Sequence, residues 1–155
     1  MNATICFTVP GDPVPKERPR QGRTRTGDRV FYTPKATKGY ESLVQQCGAL
    51  AMRGRKLFEG PVEVKLFIGL SVPRSWPKQK REAALREQIL PTAKPDVDNV
   101  EKAVCDGLNG IAWKDDAQIT DVIKCKRYTQ APGVSVWIRP VVCTGLSIDQ
   151  IPDLT

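Results

Sequence analysis

The sequence predicts a single α+β domain in which a mixed β-sheet packs with helices. Stretches of strict apolar alternation, the signature of half-buried strands, interleave with stretches of helical apolar spacing. The 155 residues suit one hydrophobic core, and no internal repeat, low-complexity tract or long linker divides them. The domain is placed at residues 1–143, and the tail 144–155 is expected to be weakly ordered.

The first strand is expected over residues 4–9, where Ile5, Phe7 and Val9 alternate with Thr4, Cys6 and Thr8. Pro10, Gly11, Pro13 and Pro15 then interrupt regular structure. Residues 16–38 hold eight basic and two acidic residues, a local balance of +6 within a net charge of +7. The prolines, glycines and threonines there favour an extended arm or loose hairpin, with Val30, Phe31 and Tyr32 as a short apolar anchor. Lys16, Arg18, Arg20, Arg23 and Arg25 make the arm a candidate for gripping phosphates, against the plainer reading of a solvated loop.

A scaffold helix is expected over 37–53, where Tyr40, Leu43, Val44, Cys47, Leu50 and Ala51 share helical spacing and Gly54 supplies a stop. Residues 62–72 read as a core strand, with Val62, Val64, Leu66, Ile68, Leu70 and Val72 on one face. Residues 77–90 read as a polar helix that Pro91 ends, a solvated element whose basic face could also touch DNA. Two strands, 118–129 and 134–142, flank a turn at 130–133.

Composition narrows the chemistry. No run approaches the roughly 18 apolar residues of a spanning helix, and the first residues lack the basic start and cleavage site of a signal peptide, so the expected compartment is the cytoplasm, without membrane association. Five scattered cysteines (Cys6, Cys47, Cys105, Cys125, Cys143) contain no C-x-x-C pair, which speaks against a disulfide framework or zinc site and for small, mostly buried, reduced side chains. The basic charge favours a polyanionic partner. Histidine is absent, which removes the commonest general base and every nuclease mechanism that needs one. A hydrolase built on this chain works with carboxylates, lysine and a metal.

Residues 94–121 concentrate seven of the seventeen acidic residues of this basic chain. If Pro95 and Val97 are extended, Asp96 and Asp98 point to the same side. Asp98 also reads as the N-cap of a helix ending near Asn109 and Gly110. In that helix Val100, Ala103, Val104 and Leu108 form an apolar stripe, while Asp98, Lys102 and Asp106 stand at i, i+4 and i+8 on another face. Lys102 could stabilise charge on a phosphate, or pair with Asp98 or Asp106. Asp115 and Asp116, just before the strand at 118, could return a carboxylate to the Asp96–Asp98 pair, and such oxygen donors suit Mg²⁺. A calcium-binding EF-hand starting at Asp96 fails, because its fifth, sixth and twelfth positions hold Val100, Glu101 and Gly107. The plain alternative is helix capping by D-x-D-N and a solvated turn at Asp115–Asp116.

Three blocks in order, K-P-D-V-D-N-x-x-K from Lys94, D-G-L-N-G from Asp106 and D-D-A-Q-I from Asp115, together resemble the core signature of the RusA family of crossover-junction endodeoxyribonucleases. P-V-P-K-x-R-P-R from Pro13 and Y-T-P-K-x-T from Tyr32 are similar to the arm of phage and prophage members. The resemblance implies a small mixed fold, a homodimer, and paired symmetric nicks in four-way junctions during DNA recombination and repair. It also implies dependence on Mg²⁺, with Mn²⁺ able to substitute, and no organic cofactor. By the same resemblance Asp96, Asp98 and Asp116 are metal-binding and catalytic, with Asp115 the less certain of its pair, and Lys102 is the catalytic lysine. Asn99 and Asp106 support the site, and Lys94 joins the arm in binding DNA. Two other functions stay open: a non-catalytic protein that binds branched DNA, and an endonuclease for flaps.

Overall fold

The computed structural model describes residues 4–142, and both the predicted tail and Cys143 lie outside them. Within that range six strands and three α-helices run in the order β1 (Ile5–Pro10), β2 (Arg20–Arg23), β3 (Arg29–Tyr32), α1 (Lys35–Met52), β4 (Val62–Ser71), α2 (Lys78–Leu85), α3 (Val97–Leu108), β5 (Ile119–Thr129) and β6 (Gly133–Pro140). The result is the expected α+β arrangement. Four strands form a mixed sheet in the order β1-β6-β4-β5, and β2 with β3 forms a separate two-stranded ribbon.

Alternation along β4 places Val62, Val64, Leu66, Ile68 and Leu70 on one buried face. Register extends that face across the sheet. Ile5, Ile138, Val64 and Val122 lie side by side, as do Phe7, Val136, Leu66 and Lys124, and Val9, Val134, Ile68 and Lys126. The apolar ladder of the central strands thus ends, on the edge strand β5, in a row that carries two lysines. Tyr40 and Val44 of α1 and Val100, Val104 and Leu108 of α3 join the β-strand side chains in one core. The opposite face presents Phe67, Ile123 and Trp137, with Glu63 paired to Arg139 and to Lys65.

Helices α1 and α3 cross closely because small residues meet there. A Cβ on Gly107 would lie 2.9 Å from both the Glu41 carbonyl oxygen and the Val44 Cβ, and one on Gly48 would lie 2.5 Å from Leu108. The expected α1 is present, but Leu50 is exposed, so it belongs to the solvent side of the helix despite its spacing. α1 ends at Arg53 in a left-handed conformation, one residue before the predicted glycine. The polar helix is shorter than expected, stopping at Leu85 before Glu87 turns left-handed (φ 59°). It is seated against β5 by Ala84 and by Trp76, which meets Tyr128 edge-on at 5.4 Å and carries Lys80 over its ring.

Two sequence expectations need correction. Val30, Phe31 and Tyr32 do not anchor the arm, because all three are exposed on the ribbon; a two-stranded ribbon outside the main sheet has no second layer to bury them. The cysteines are less buried than expected. Cys105 alone among the described ones is fully buried, Cys47 and Cys125 are partly so, and Cys6 is exposed; all four are free thiols. No described helix is long and apolar enough to cross a membrane.

Candidate active site

Helix α3 begins two residues earlier than its sequence suggests. Asp96, not Asp98, occupies the N-cap with extended backbone, and its carbonyl accepts the first helical bond from Val100 N at 3.1 Å. Val97 is therefore helical, and two residues of helix rotate a side chain by roughly 200°. The parallel projection expected of Asp96 and Asp98 on an extended chain is lost. They find different partners instead: Asp96 Oδ2 accepts from Asn99 Nδ2 at 3.4 Å, and Asp98 Oδ1 accepts from Lys124 Nζ at 2.5 Å.

Lys124 is the residue that the sequence did not bring forward. It stands in the helix-facing row of β5 and places its ammonium between Asp98 and Glu101, one helical turn apart on α3. Burial acts to lower its pKa, but the hydrogen bonds to Asp98 and Glu101 outweigh that, and the net shift is upward. The next inward lysine, Lys126, donates to the carbonyls of Ala93 (2.7 Å) and Pro95 (3.0 Å) and so fixes the segment that carries Lys94 and Asp96. An i, i+2 pattern of lysines on a strand was the available signal, yet its meaning depends on which helix lies opposite.

The arm's root is tied down at the other end of α3. Lys16 Nζ bridges Glu41 of α1 (2.5 Å) and Asp106 of α3 (2.9 Å), and Lys16 N donates to the Asn99 carbonyl at 2.9 Å. Burial would lower the Lys16 pKa; the bonds to Asp106 and Glu41 reverse the sign and raise it. Lys16 is thus a tether rather than a free phosphate contact, because two carboxylates already neutralise it. Arg20 is engaged with Glu17 at 2.9 Å. Arg18, Arg23 and Arg25 are exposed and have no ion-pair partner among the described residues. Between arm and helix runs a groove of about 680 Å³ whose walls include Lys16, Arg18, Arg20, Lys94, Asp96 and Asn99.

Both expected ion-pair partners of Lys102 are taken, Asp98 by Lys124 and Asp106 by Lys16. Lys102 is left exposed on α3, without a carboxylate partner among the described residues.

The loop from Lys114 to Gln118 separates the roles of its two aspartates. Asp115 caps a 3₁₀ turn over Asp116–Gln118 by accepting from Ala117 N at 2.8 Å. The Gln118 side chain closes the same turn, accepting from the backbone of Lys114 and Asp115 and donating to the carbonyls of Phe58 and Gly60, both at 2.9 Å. The Ala117 bond, and then a hydrogen bond shared with Asp116, hold the Asp115 carboxyl below the usual range. That shared bond in turn pushes Asp116 up, with further contributions from burial and from the charges of Asp115 and Asp106. Asp115 caps the backbone of the turn, whereas the Asp116 carboxyl has Asp115 as its partner. Between this loop and α3, Trp113 is fully buried and donates from Nε1 to Asn109 Oδ1 at 2.9 Å.

The donor chemistry suits a hard cation. Asp98 and Glu101 already converge on one positive charge, the Lys124 ammonium. Among the described residues, however, no three ligating side chains form a ready cage, and Asp96 and Asp116 are not brought against that pair. Cys105 offers no competing nucleophile. Burial, then the charges of Glu101, Asp116 and Asp106, push its thiol up to about 12, leaving it protonated and inert.

Two comparisons bear on this arrangement. The family model described as "Endodeoxyribonuclease RusA" matches residues 10–139. A protein of Bacillus subtilis (strain 168), named "Uncharacterized protein YqaN", is 38% identical over 139 residues, covering 88% of this chain and 96% of that protein.

Proposed function

Since this chain belongs to the RusA family of endodeoxyribonucleases, we propose that it is a Mg²⁺-dependent, structure-selective enzyme that resolves four-way DNA junctions by paired symmetric nicks, in recombination and repair. The observation that carries the reading is the exposed edge of α3. There Asp98 and Glu101 converge on the Lys124 ammonium while Lys102 has no carboxylate partner among the described residues, and Asp96 and Asn99 at the start of the helix line a groove walled by Arg18 and Lys94.

In this reading Asp96, Asp98 and Asp116 hold Mg²⁺ or Mn²⁺, and Glu101 lies close enough to Asp98 to share in that task. An ion held there would supply Lewis acidity at the scissile phosphate. Lys102 steadies the negative charge that grows on the phosphate oxygens. Asp115 and Gln118 hold the loop that presents Asp116, while Asn99 and Asp106 hold the arm against α3. Arg18, Arg23, Arg25 and Lys94 grip phosphates flanking the cut. Lys124 draws Asp98 and Glu101 together on one side of α3.

Two cuts on opposed strands call for two sites. A four-way junction has approximate two-fold symmetry, so a C₂ homodimer presents one site to each strand. The sheet face bearing Phe67, Ile123 and Trp137 is the surface assigned here to the second copy, since a single copy leaves Ile123 and Trp137 exposed. No organic cofactor enters the scheme, and the cytoplasm of a bacterial cell, with a phage or prophage as the gene's source, fits the arm.

That no three ligating side chains among the described residues form a ready cage favours a second reading, a non-catalytic protein that binds branched DNA. Cleavage of a labelled four-way junction, beside linear duplex and flap controls, separates the two. The wild type is expected to nick symmetrically near the crossover in Mg²⁺ and not in EDTA. Asp98→Asn is expected to lower the rate by at least the roughly 100-fold that loss of an outer-shell partner can cost, with junction binding retained. Junction binding without cutting in Mg²⁺ or Mn²⁺ would establish the second reading, and preferential cutting of flaps would reassign the substrate.

A further inference from the structure

The β2–β3 ribbon displays an aromatic side chain that neither the fold nor the proposed chemistry uses. Its register pairs Arg20 with Tyr32, Gln21 with Phe31, Gly22 with Val30 and Arg23 with Arg29. Paired residues share a face and faces alternate, so one face carries Tyr32 and Val30 and the other carries Phe31 between Gln21, Arg23 and Arg29. The two faces differ. Tyr32 lays its ring over Gly22, 3.1 Å from where a Cβ would stand, so it packs on its own ribbon. Phe31 is 73% exposed, a value that among the large apolar side chains of the described residues only Val142 exceeds.

The surroundings of Phe31 are cationic, with Arg23 and Arg29 on its face of the ribbon. Asp28, the acid at the ribbon tip, is held by Thr26 Oγ1 at 2.9 Å and by Thr24, whose hydroxyl accepts from Asp28 N at 3.1 Å. Glu17, at the root, is engaged with Arg20. Arg23 and Arg29 make no ion pair among the described residues and lie on the same face as an open phenyl ring. The root itself is fixed to α1 and α3 through Lys16 and borders the groove that reaches Asp96.

A phenyl ring flanked by guanidinium groups matches one kind of surface closely. Guanidinium groups take phosphates, and an aromatic face takes the flat face of a base. Duplex DNA keeps its base faces stacked and offers none, whereas a branch point exposes them at little cost. We propose that Phe31 stacks on a base at the branch point while Arg23 and Arg29 hold the adjoining phosphates, which makes the ribbon the element that selects branched over linear DNA. The inference rests on the junction-cleaving reading above and adds a specificity-determining residue to it.

The test uses the full chain in EDTA, so that DNA is bound and not cut, with a four-way junction carrying 2-aminopurine at the crossover. Wild type is expected to bind and to raise the fluorescence as the base leaves its stack. Phe31→Ala is expected to bind the junction roughly 5- to 100-fold more weakly, the range of one lost base–aromatic stack, with no fluorescence rise. Its affinity for linear duplex and its thermal stability stay as in wild type, because the ring is exposed. Phe31→Trp is expected to restore both affinity and signal, and Phe31→Leu is not. A Phe31→Ala protein that matches wild type in affinity and fluorescence overturns the inference while leaving junction cleavage in place. So does one whose only defect is conversion of a dimer to a monomer, which would assign the ring to a second copy of the chain. A wild type that binds neither junction nor flap overturns the functional reading and this inference together.

Discussion

Tyr40 illustrates how a single side chain can carry a cost that its neighbours do not relieve. Its ring belongs to the core, yet its hydroxyl is buried without a hydrogen-bond partner among the described residues, and burial, with a smaller effect of Cys47, pushes its pKa well above the ordinary phenol value. A buried, unsatisfied hydroxyl costs about 1–3 kcal/mol. Tyr40→Phe keeps the ring and removes that group, so it is expected to stabilise the protein by about 1 kcal/mol, or a rise of about 2–4 °C in Tm. Thermal denaturation followed by circular dichroism checks this, and a lower Tm would mean that the hydroxyl is bonded after all. The same scale separates the lysines and aspartates of the site. Among the described residues Lys124 is paired with Asp98 and Glu101 while Lys102 has no carboxylate partner, and Asp115 caps a turn with Asp116 as its neighbour in a shared hydrogen bond.

At the scale of elements, the position of α3 depends on its crossing with α1. Glu41 on α1 and Asp106 on α3 share the Lys16 ammonium, so the two helices and the arm's root form one junction of three segments. Gly107 sits at the crossing, where an added methyl would meet the Glu41 backbone and the Val44 Cβ at 2.9 Å. Backbone and Cβ atoms cannot rotate away, whereas the Leu108 side chain facing Gly48 can. Gly107→Ala gains about 0.5–1 kcal/mol of helix propensity against about 1–3 kcal/mol of overpacking. A net loss of about 1 kcal/mol is therefore expected in urea denaturation, together with slower cleavage, because α3 and the arm shift apart. Gly48→Ala is expected to lose less. Equal loss at both sites would show that the helices move as freely as the leucine.

The charge of the whole molecule is uneven in a way that a salt titration can read. Most of the net +7 lies in residues 16–38, but Lys16 and Arg20 are already paired within the protein. Of the five basic residues from Lys16 to Arg25, Arg18, Arg23 and Arg25 are left for phosphate. Each phosphate contact contributes about 0.9 to the slope of log affinity against log salt. Replacing all three arginines by alanine is expected to flatten the slope for junction binding by about 2.7, while Lys16→Met and Arg20→Met leave it nearly unchanged. Anisotropy titrations across a KCl series measure it. A slope unmoved by the triple replacement would remove the arm from the DNA interface.

Sequence by itself determined the local layers of this protein. Alternation marked β1 and β4, a turn between two strand-like runs marked β5 and β6, apolar helical spacing marked α1 and α3, and the run of turn residues and arginines marked a hairpin-like arm, because each of these is a property of neighbouring residues and the backbone repeat. The family signature was also visible locally, and the structure gives physical reasons for parts of it: Gly107 for the helix crossing, Asn109 for the Trp113 indole, Asp115 and Gln118 for the turn before β5. Only the tertiary structure decided that β4 and β5 run parallel, that Phe31 faces solvent rather than a core, and that Asp98 and Glu101 meet Lys124 of β5 instead of Lys102 one turn away. Periodicity states which residues share a face. Which element lies opposite that face is set by sheet order and register, through contacts between segments far apart in the chain.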